Sequence, residues 1–268
     1  MGNLILANRP PQDYLVPYSL RLRAANSATM ERQFGAGGND ILWTLNFNVK
    51  RGLVDAANRT ITGWGTASEH VGIRFNSSYQ LEVYRYNGSF QYQVITNALY
   101  RDPAAHMNIN LRYDSAQGTA ANRIRLEVNG VQVTSFSTAS YPSASQTSRN
   151  LVNTGYFSIC ATANTGGPVY FDGLISDVRL ISGQSLPSTD FGKVNAATGQ
   201  WVGKRFSGAF GTQGGYWPFK NAASTTTIGY DYQTEARSIT NDLTMSGVSV
   251  TAGSTFDQSA DTPTNNFA

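Results

Sequence analysis

Tyr170-Phe171-Asp172-Gly173-Leu174-Ile175-Ser176-Asp177-Val178-Arg179-Leu180-Ile181 is the stretch from which the fold is read. A β-strand sends alternate residues to opposite faces of its sheet. Phe171, Gly173, Ile175, Asp177, Arg179 and Ile181 form one set, and Tyr170, Asp172, Leu174, Ser176, Val178 and Leu180 form the other. Both sets mix apolar and polar residues, which predicts a strand inside a layered all-β domain, covered in part on both sides. Gly173 in its interior predicts a bulge or the close approach of another segment. Ser182-Gly183 ends it with a turn signal. Phe171, Gly173 and Ile175 are therefore read as architecture.

The same alternation recurs along the chain. Tyr18 to Arg23, Leu42 to Val49, Thr60 to Trp64, Val71 to Asn76, Tyr79 to Tyr86, Phe90 to Thr96 and Met107 to Tyr113 all read as strands. Asn129-Gly130, between Arg123–Val128 and Val131–Phe136, predicts a hairpin, because a type I′ turn needs positive φ at both centres. Ser137 to Asn153 reads as a long polar loop, and Tyr156 to Ala161 as a buried strand holding Cys160. Residues 1–17 carry Arg9-Pro10-Pro11 and Val16-Pro17 without periodicity, an extended arm. Residues 221–268 are mostly Ser, Thr, Asn and Asp with isolated apolar residues. The expected division is an N-terminal arm over 1–17, a β domain over 18–220 and a C-terminal arm over 221–268.

Composition agrees. Of 268 residues 40% are hydrophobic, enough for a core, and only 14% are charged. Abundant Gly, Ser, Thr, Asn and Tyr suit short strands joined by turns. No stretch has the length and polarity of a transmembrane helix, and the short apolar run Leu4-Ile5-Leu6 does not make a signal peptide, so no membrane partner and no secretion are expected. A single cysteine excludes a disulfide framework, and Cys160 is read as an inert core residue. The net charge of +3 is scattered; Arg21 with Arg23 and Arg123 with Arg125 are read as solvated faces, not a nucleic-acid patch.

Taken together, Tyr18–Arg23, Trp43-Thr44 with Val49-Lys50-Arg51-Gly52, Arg101-Asp102-Pro103, Ala121 through Val133, Ser140-Tyr141-Pro142, the opening strand with Gly183-Gln184-Ser185-Leu186, Thr198-Gly199-Gln200-Trp201, and Asp261 through Phe267 resemble, in order, the concanavalin A-like (laminin-G-like) jelly-roll proteins of tailed bacteriophages and prophages. Asn48 stands where that family commonly has tryptophan, and His106-Met107 where it has an aromatic pair. The resemblance implies a two-sheet antiparallel β-sandwich and a virion-associated role, and it brings no catalytic site. It also implies partners: other virion proteins, either the major capsid protein or tail components, and further copies of the chain, a trimer being one candidate. The protein would be made in the bacterial host cytoplasm.

Catalysis is not expected. Glycoside hydrolases of this fold need two carboxylates about 5–5.5 Å apart, which on a strand calls for acids at alternate positions. No two of the 17 acids here are separated by a single residue, and Glu82 and Glu127, alone on their strands, are read as exposed-face residues. There is no Gly-x-Ser-x-Gly elbow, and two isolated histidines do not make a zinc site. Calcium is the one metal to consider. Asp172 and Asp177 are its candidate ligands, but opposite parity separates them, so each would need loop partners such as Asn164 or Asp114. Glycan binding needs exposed rings for stacking, and Trp64, Tyr84, Tyr86, Tyr92 and Tyr141 are the candidates, against the plainer reading that they pack between sheets. The expected function is a non-enzymatic head decoration or cement protein whose arms grip neighbours. The alternative is a tail-fibre or spike protein that recognises a host-surface glycan, and a remote one is a glycoside hydrolase whose carboxylate pair comes together from separate strands.

Overall fold

The computed structural model describes residues 14–65, 68–148, 156–161, 170–233 and 241–264. In chain order the strands are β1 (Ser19–Leu22), β2 (Thr29–Gln33), β3 (Leu42–Arg51), β4 (Arg59–Gly65), β5 (Glu69–Phe75), β6 (Gln80–Asn87), β7 (Phe90–Leu99), β8 (His106–Asp114) and β9 (Ile124–Val128). They continue with β10 (Val131–Gln132), β11 (Phe136–Ser140), β12 (Tyr156–Ile159), β13 (Gly173–Ser182), β14 (Gly192–Val194), β15 (Trp201–Gly203), β16 (Gly215–Trp217), β17 (Thr244–Ser246) and β18 (Gln258–Ser259). One sheet runs β10-β9-β8-β3-β13-β1-β18, with β16 also paired to β13; the other runs β11-β7-β6-β5-β4-β12-β2-β17. All ladder pairs within both are antiparallel. The fold is a two-sheet antiparallel sandwich.

Alternation builds the core between the sheets. Trp43, Leu45, Phe47 and Val49 of β3 and Met107, Ile109, Leu111 and Tyr113 of β8 point inward, towards Val71, Ile73 and Phe75 of β5 and Leu81 and Val83 of β6. A line of rings stitches the layers: Tyr113 stacks on Trp43 at 5.4 Å, Trp43 meets Trp64 across the gap at 5.5 Å, Trp64 meets Phe157, and Phe157 stacks on Trp217 of the first sheet at 5.5 Å. Such ring pairs add to what their burial already contributes.

The opening stretch becomes β13, starting at Gly173. It pairs with β3 along its length, with β1 beside its first half and β16 beside its second. Gly173 marks a close approach: at φ +150° its added Cβ would meet Lys50 O and, at 2.8 Å, Gly52 N. The bulge lies further on. Ser176 pairs with Asn48 and Arg179 with Asn46, leaving two residues opposite Phe47. One extra residue reverses the phase of alternation. Ile175 faces the core before the bulge, Val178 and Leu180 face it after, and Asp177, at φ +56°, moves to the outer face with Arg179.

The Asn129-Gly130 turn has positive φ at both residues, 49° and 79°. Its second arm is shorter than expected: β10 ends at Gln132 and the chain crosses to the other sheet as β11. The polar run that begins at Ser137 is thus in part an edge strand. Residues 221–264, in their described part, return to the sandwich. β17 pairs with β2 and β18 with β1, and Ile228, Leu243 and Val248 join the main core.

A candidate ligand cleft over the bulged strand

Past the bulge, the outer face of β13 carries Asp177, Arg179 and Ile181. Ile181 packs with Phe191 and Phe210 in a second, smaller apolar cluster, against which Phe206 and Tyr216 lie. Tyr216 comes from β16, directly opposite Arg179 in register. Tyr14, from the N-terminal segment, donates its hydroxyl to Asp177 Oδ1 at 2.8 Å and also touches the Tyr216 hydroxyl. Arg179, 2% exposed, pairs with Asp177 Oδ2 at 2.5 Å, reaches Asn46 Oδ1, and lies over the rings of Tyr14, Phe191 and Tyr216. Burial, then the neighbouring Asp177, holds the Tyr14 phenol well above its ordinary value, and the same causes raise Tyr216. Burial, the largest single influence, would lower Arg179, but Asp177 together with Tyr14 and Tyr216 more than offsets it and the guanidinium is held raised. Both phenols therefore stay protonated and Arg179 stays charged at neutral pH.

Above this polar floor opens a cleft of about 510 Å³. Tyr14, Leu15 and Pro17 form one wall, Phe206, Ser207, Gly208 and Phe210 another, and Pro218, Tyr232 and Gln233 a third. Arg205 and Lys220, both exposed, stand in the lining with Arg179, and no carboxylate does so among the described residues. Lys220 Nζ sits 3.8 Å above the Tyr232 ring, a cation–π placement that steadies it. The volume falls within the ordinary range for small-ligand sites, and such sites combine apolar walls with a few placed polar groups.

The residues expected to bind sugar are not brought together. Trp64 and Tyr92 are withdrawn, since both lie between the sheets at 0% and 1% exposure. Tyr141 packs against the main core. Tyr84 and Tyr86 do share the outer face of the second sheet, where they meet His70 and Phe90 edge-on or tilted. Tyr84 is itself buried there, laid flat over Gly72 with a cation–π contact to Arg74.

The expected calcium ligands are engaged elsewhere. Asp172 Oδ2 accepts the Ala24 amide at 3.1 Å, and Asp177 holds Tyr14 and Arg179. Asp114 accepts amides of its own loop, and Asn164 lies outside the described residues. No group of three or more His, Cys, Asp or Glu side chains fit to hold a metal occurs among the described residues. Glu82 and Glu127 are not exposed-face residues: they are 1% and 5% exposed and pair with Arg74 and Arg112. Arg21 and Arg23 are not simply solvated either, because both bind Asp257. Cys160 is buried, its thiol pushed up by that burial.

No family model and no curated protein sequence matches the chain. Solved structures match its fold. The heptameric SAP-like pentraxin of Limulus polyphemus aligns over 65% of this chain and 80% of its own, at 12% identity and a TM-score of 0.46. The CBM40 of the Ruminococcus gnavus IT-sialidase, solved bound to α2,3 sialyllactose, aligns over 64% and 93%, at 10% identity and a TM-score of 0.44. The enzymatically active domain of bacteriophage CBA120 tailspike protein 2 aligns over 65% of this chain but 26% of that one, at 14% identity and a TM-score of 0.44. At these values the likenesses carry nothing about ligand or activity.

Proposed function

We propose that this protein is a non-enzymatic, glycan-binding virion protein and that the cleft over β13 is its binding site. The observation that carries the proposal is the cleft itself: 510 Å³ walled by Tyr14, Phe206, Phe210, Tyr216 and Tyr232 over a buried, hydrogen-bonded polar floor. Aromatic walls offer faces for stacking on sugar rings, and the polar rim offers hydrogen bonds. No described residue of the lining is a carboxylate, and this supports binding over glycoside hydrolysis, which needs two. The virion setting rests on the sequence resemblance over most of the chain. A cement role drew its support from arms free to grip neighbours. The described part of 221–264 holds instead to the chain's own sheets, which shifts the weight to the glycan-binding alternative.

The test is a glycan array probed with the wild-type chain, Phe206→Ala and Tyr232→Ala. Both rings are partly exposed at the cleft, and Phe206 also packs on the Phe191–Phe210 cluster, so Phe206→Ala should lower the melting temperature. Measured well below the unfolding transition, both variants should lose at least about tenfold in affinity for whichever glycan the wild type captures. Undiminished binding by both variants would remove the cleft from the reading.

A further inference from the structure

We propose that the end of the sandwich where β3 finishes binds a small carboxylate anion on Arg51, with Arg101 as the second cation. None of the residues involved lines the cleft, and the site does not depend on the glycan reading. Alternation along β3 puts Arg51 on the face that carries Trp43, Leu45, Phe47 and Val49, so its side chain runs in between the sheets. It is 1% exposed, with its guanidinium 4.5 Å over the Phe75 ring and 5.9 Å from that of Tyr79. Nη1 donates to the Tyr100 carbonyl at 2.5 Å, while Nε and Nη2 are enclosed without a hydrogen-bond partner. Among the described residues no other side chain has two such atoms. Nε and Nη2 are the prongs of one planar edge, and on such an edge arginine grips a carboxylate through two parallel bonds.

The charge is not matched from within the chain either. The acid that acts on Arg51 is Asp55, and Asp55 commits both oxygens to Arg59. A buried charge without a partner is strongly unfavourable, and buried polar groups are nearly always satisfied. Water would satisfy the donors and leave the charge unmatched, whereas a carboxylate meets both needs. Arg101 approaches from outside: it is exposed and lies 4.6 Å over the same Tyr79 ring. Tyr79 holds φ +65°, uncommon for so bulky a residue, and such outliers gather at ligand sites. Gly52 and Leu53, next along the chain from Arg51, are exposed, so the empty edge lies close under the surface. Its enclosure limits the anion to about the size of formate or acetate.

The arginine Nε–Hε resonances of isotope-labelled protein, followed through separate titrations with sodium formate and sodium chloride, test this. The resonance that Arg51→Met removes should shift saturably with formate, with a dissociation constant in the millimolar range or below, and shift less with chloride. Arg101→Gln, a change at an exposed side chain, should weaken formate by about two- to fivefold. Because methionine replaces an uncompensated buried charge, Arg51→Met should melt no lower than wild type when formate is absent. Formate should then raise the melting temperature of the wild type and not that of the variant. Arg51→Lys, which keeps the charge and loses the fork, makes the same comparison should the methionine variant not fold. An Arg51 resonance that formate leaves in place, one that chloride moves equally, or an equal formate effect on wild type and variant overturns the site. Unchanged formate affinity in Arg101→Gln overturns the part given to Arg101.

Discussion

Asp177 is the residue on which the outer face of β13 turns. It holds φ +56° inside a strand, a conformation that Asp tolerates better than most residues. From there it takes Arg179 on one oxygen and Tyr14 on the other. Removing one partner of a buried pair leaves the other charge uncompensated, which costs more than the pair contributes when intact. Asp177→Ala should therefore destabilise the protein by about 3–5 kcal/mol, read as a shift in the urea midpoint. Asp177→Ala combined with Arg179→Met should recover most of that loss. A single variant within about 0.5 kcal/mol of wild type would contradict the buried-pair account. This residue also shows where sequence reading stops. Alternation was carried straight through Ser176-Asp177-Val178, which put Asp177 on one face with Ile175; a bulge of one residue reverses that assignment and leaves little local signature beyond an Asp able to adopt positive φ. Asn129-Gly130 was legible because its rule is local and needs nothing from the rest of the chain.

At the scale of elements, the C-terminal segment acts as a clamp. Asp257, its side chain 1% exposed, accepts Arg21 Nε at 3.1 Å, Arg23 Nη2 at 2.8 Å and the Ser249 amide at 2.7 Å. Asp261 adds Lys50 at 2.8 Å and His106 Nε2 at 2.9 Å, reaching two adjacent strands at once. Because a carboxylate only accepts, His106 carries its proton on Nε2, which leaves the buried Nδ1, without a partner, as the bare nitrogen. Asp257→Ala should cost about 2–3 kcal/mol and speed hydrogen exchange in β1 and β18 ahead of β3 and β8. Uniform exchange across all four strands would contradict a clamp confined to this edge. The strands themselves were legible from alternation. The clamp was not, since its carboxylates lie in a polar tail whose arginine and lysine partners are more than 200 residues away in sequence. The cleft was hidden for the same reason: Tyr14 meets Asp177 and Tyr216 across 163 and 202 positions.

For the molecule as a whole, the titration of its two histidines sets how stability responds to acid. Both are held below the usual 6.5, by burial first, reinforced at His70 by Arg74 and opposed at His106 by Asp261. A pKa depressed by folding contributes stability that is present above the unfolded value and lost as pH falls towards the folded one. Below about 6.5 the unfolded chain takes up protons that the folded chain refuses, so the melting temperature should decline between pH 7 and pH 5. His70→Gln with His106→Gln should flatten that decline, and an unchanged slope would contradict it. Asp231, raised by burial, acts in the opposite sense nearer the carboxylate range.

The Tyr14 hydroxyl lying between Asp177 and Tyr216 also bears on the order of events during folding. The cleft has no local precursor, since its walls come from the N-terminal segment, the bulged strand and the stretch from Arg205 to Gln233. Closing such distant loops is the slow, entropically costly part of assembling a β-sandwich. Sheets made of neighbouring hairpins can form while the site is still in pieces, and a chain emerging from the ribosome cannot hold a ligand there until residue 233 has been made. On the glycan-binding proposal, binding capacity is thus a late property of this chain, and a ligand in the cleft would fasten Tyr14 and its neighbours to the stretch from Arg205 to Gln233.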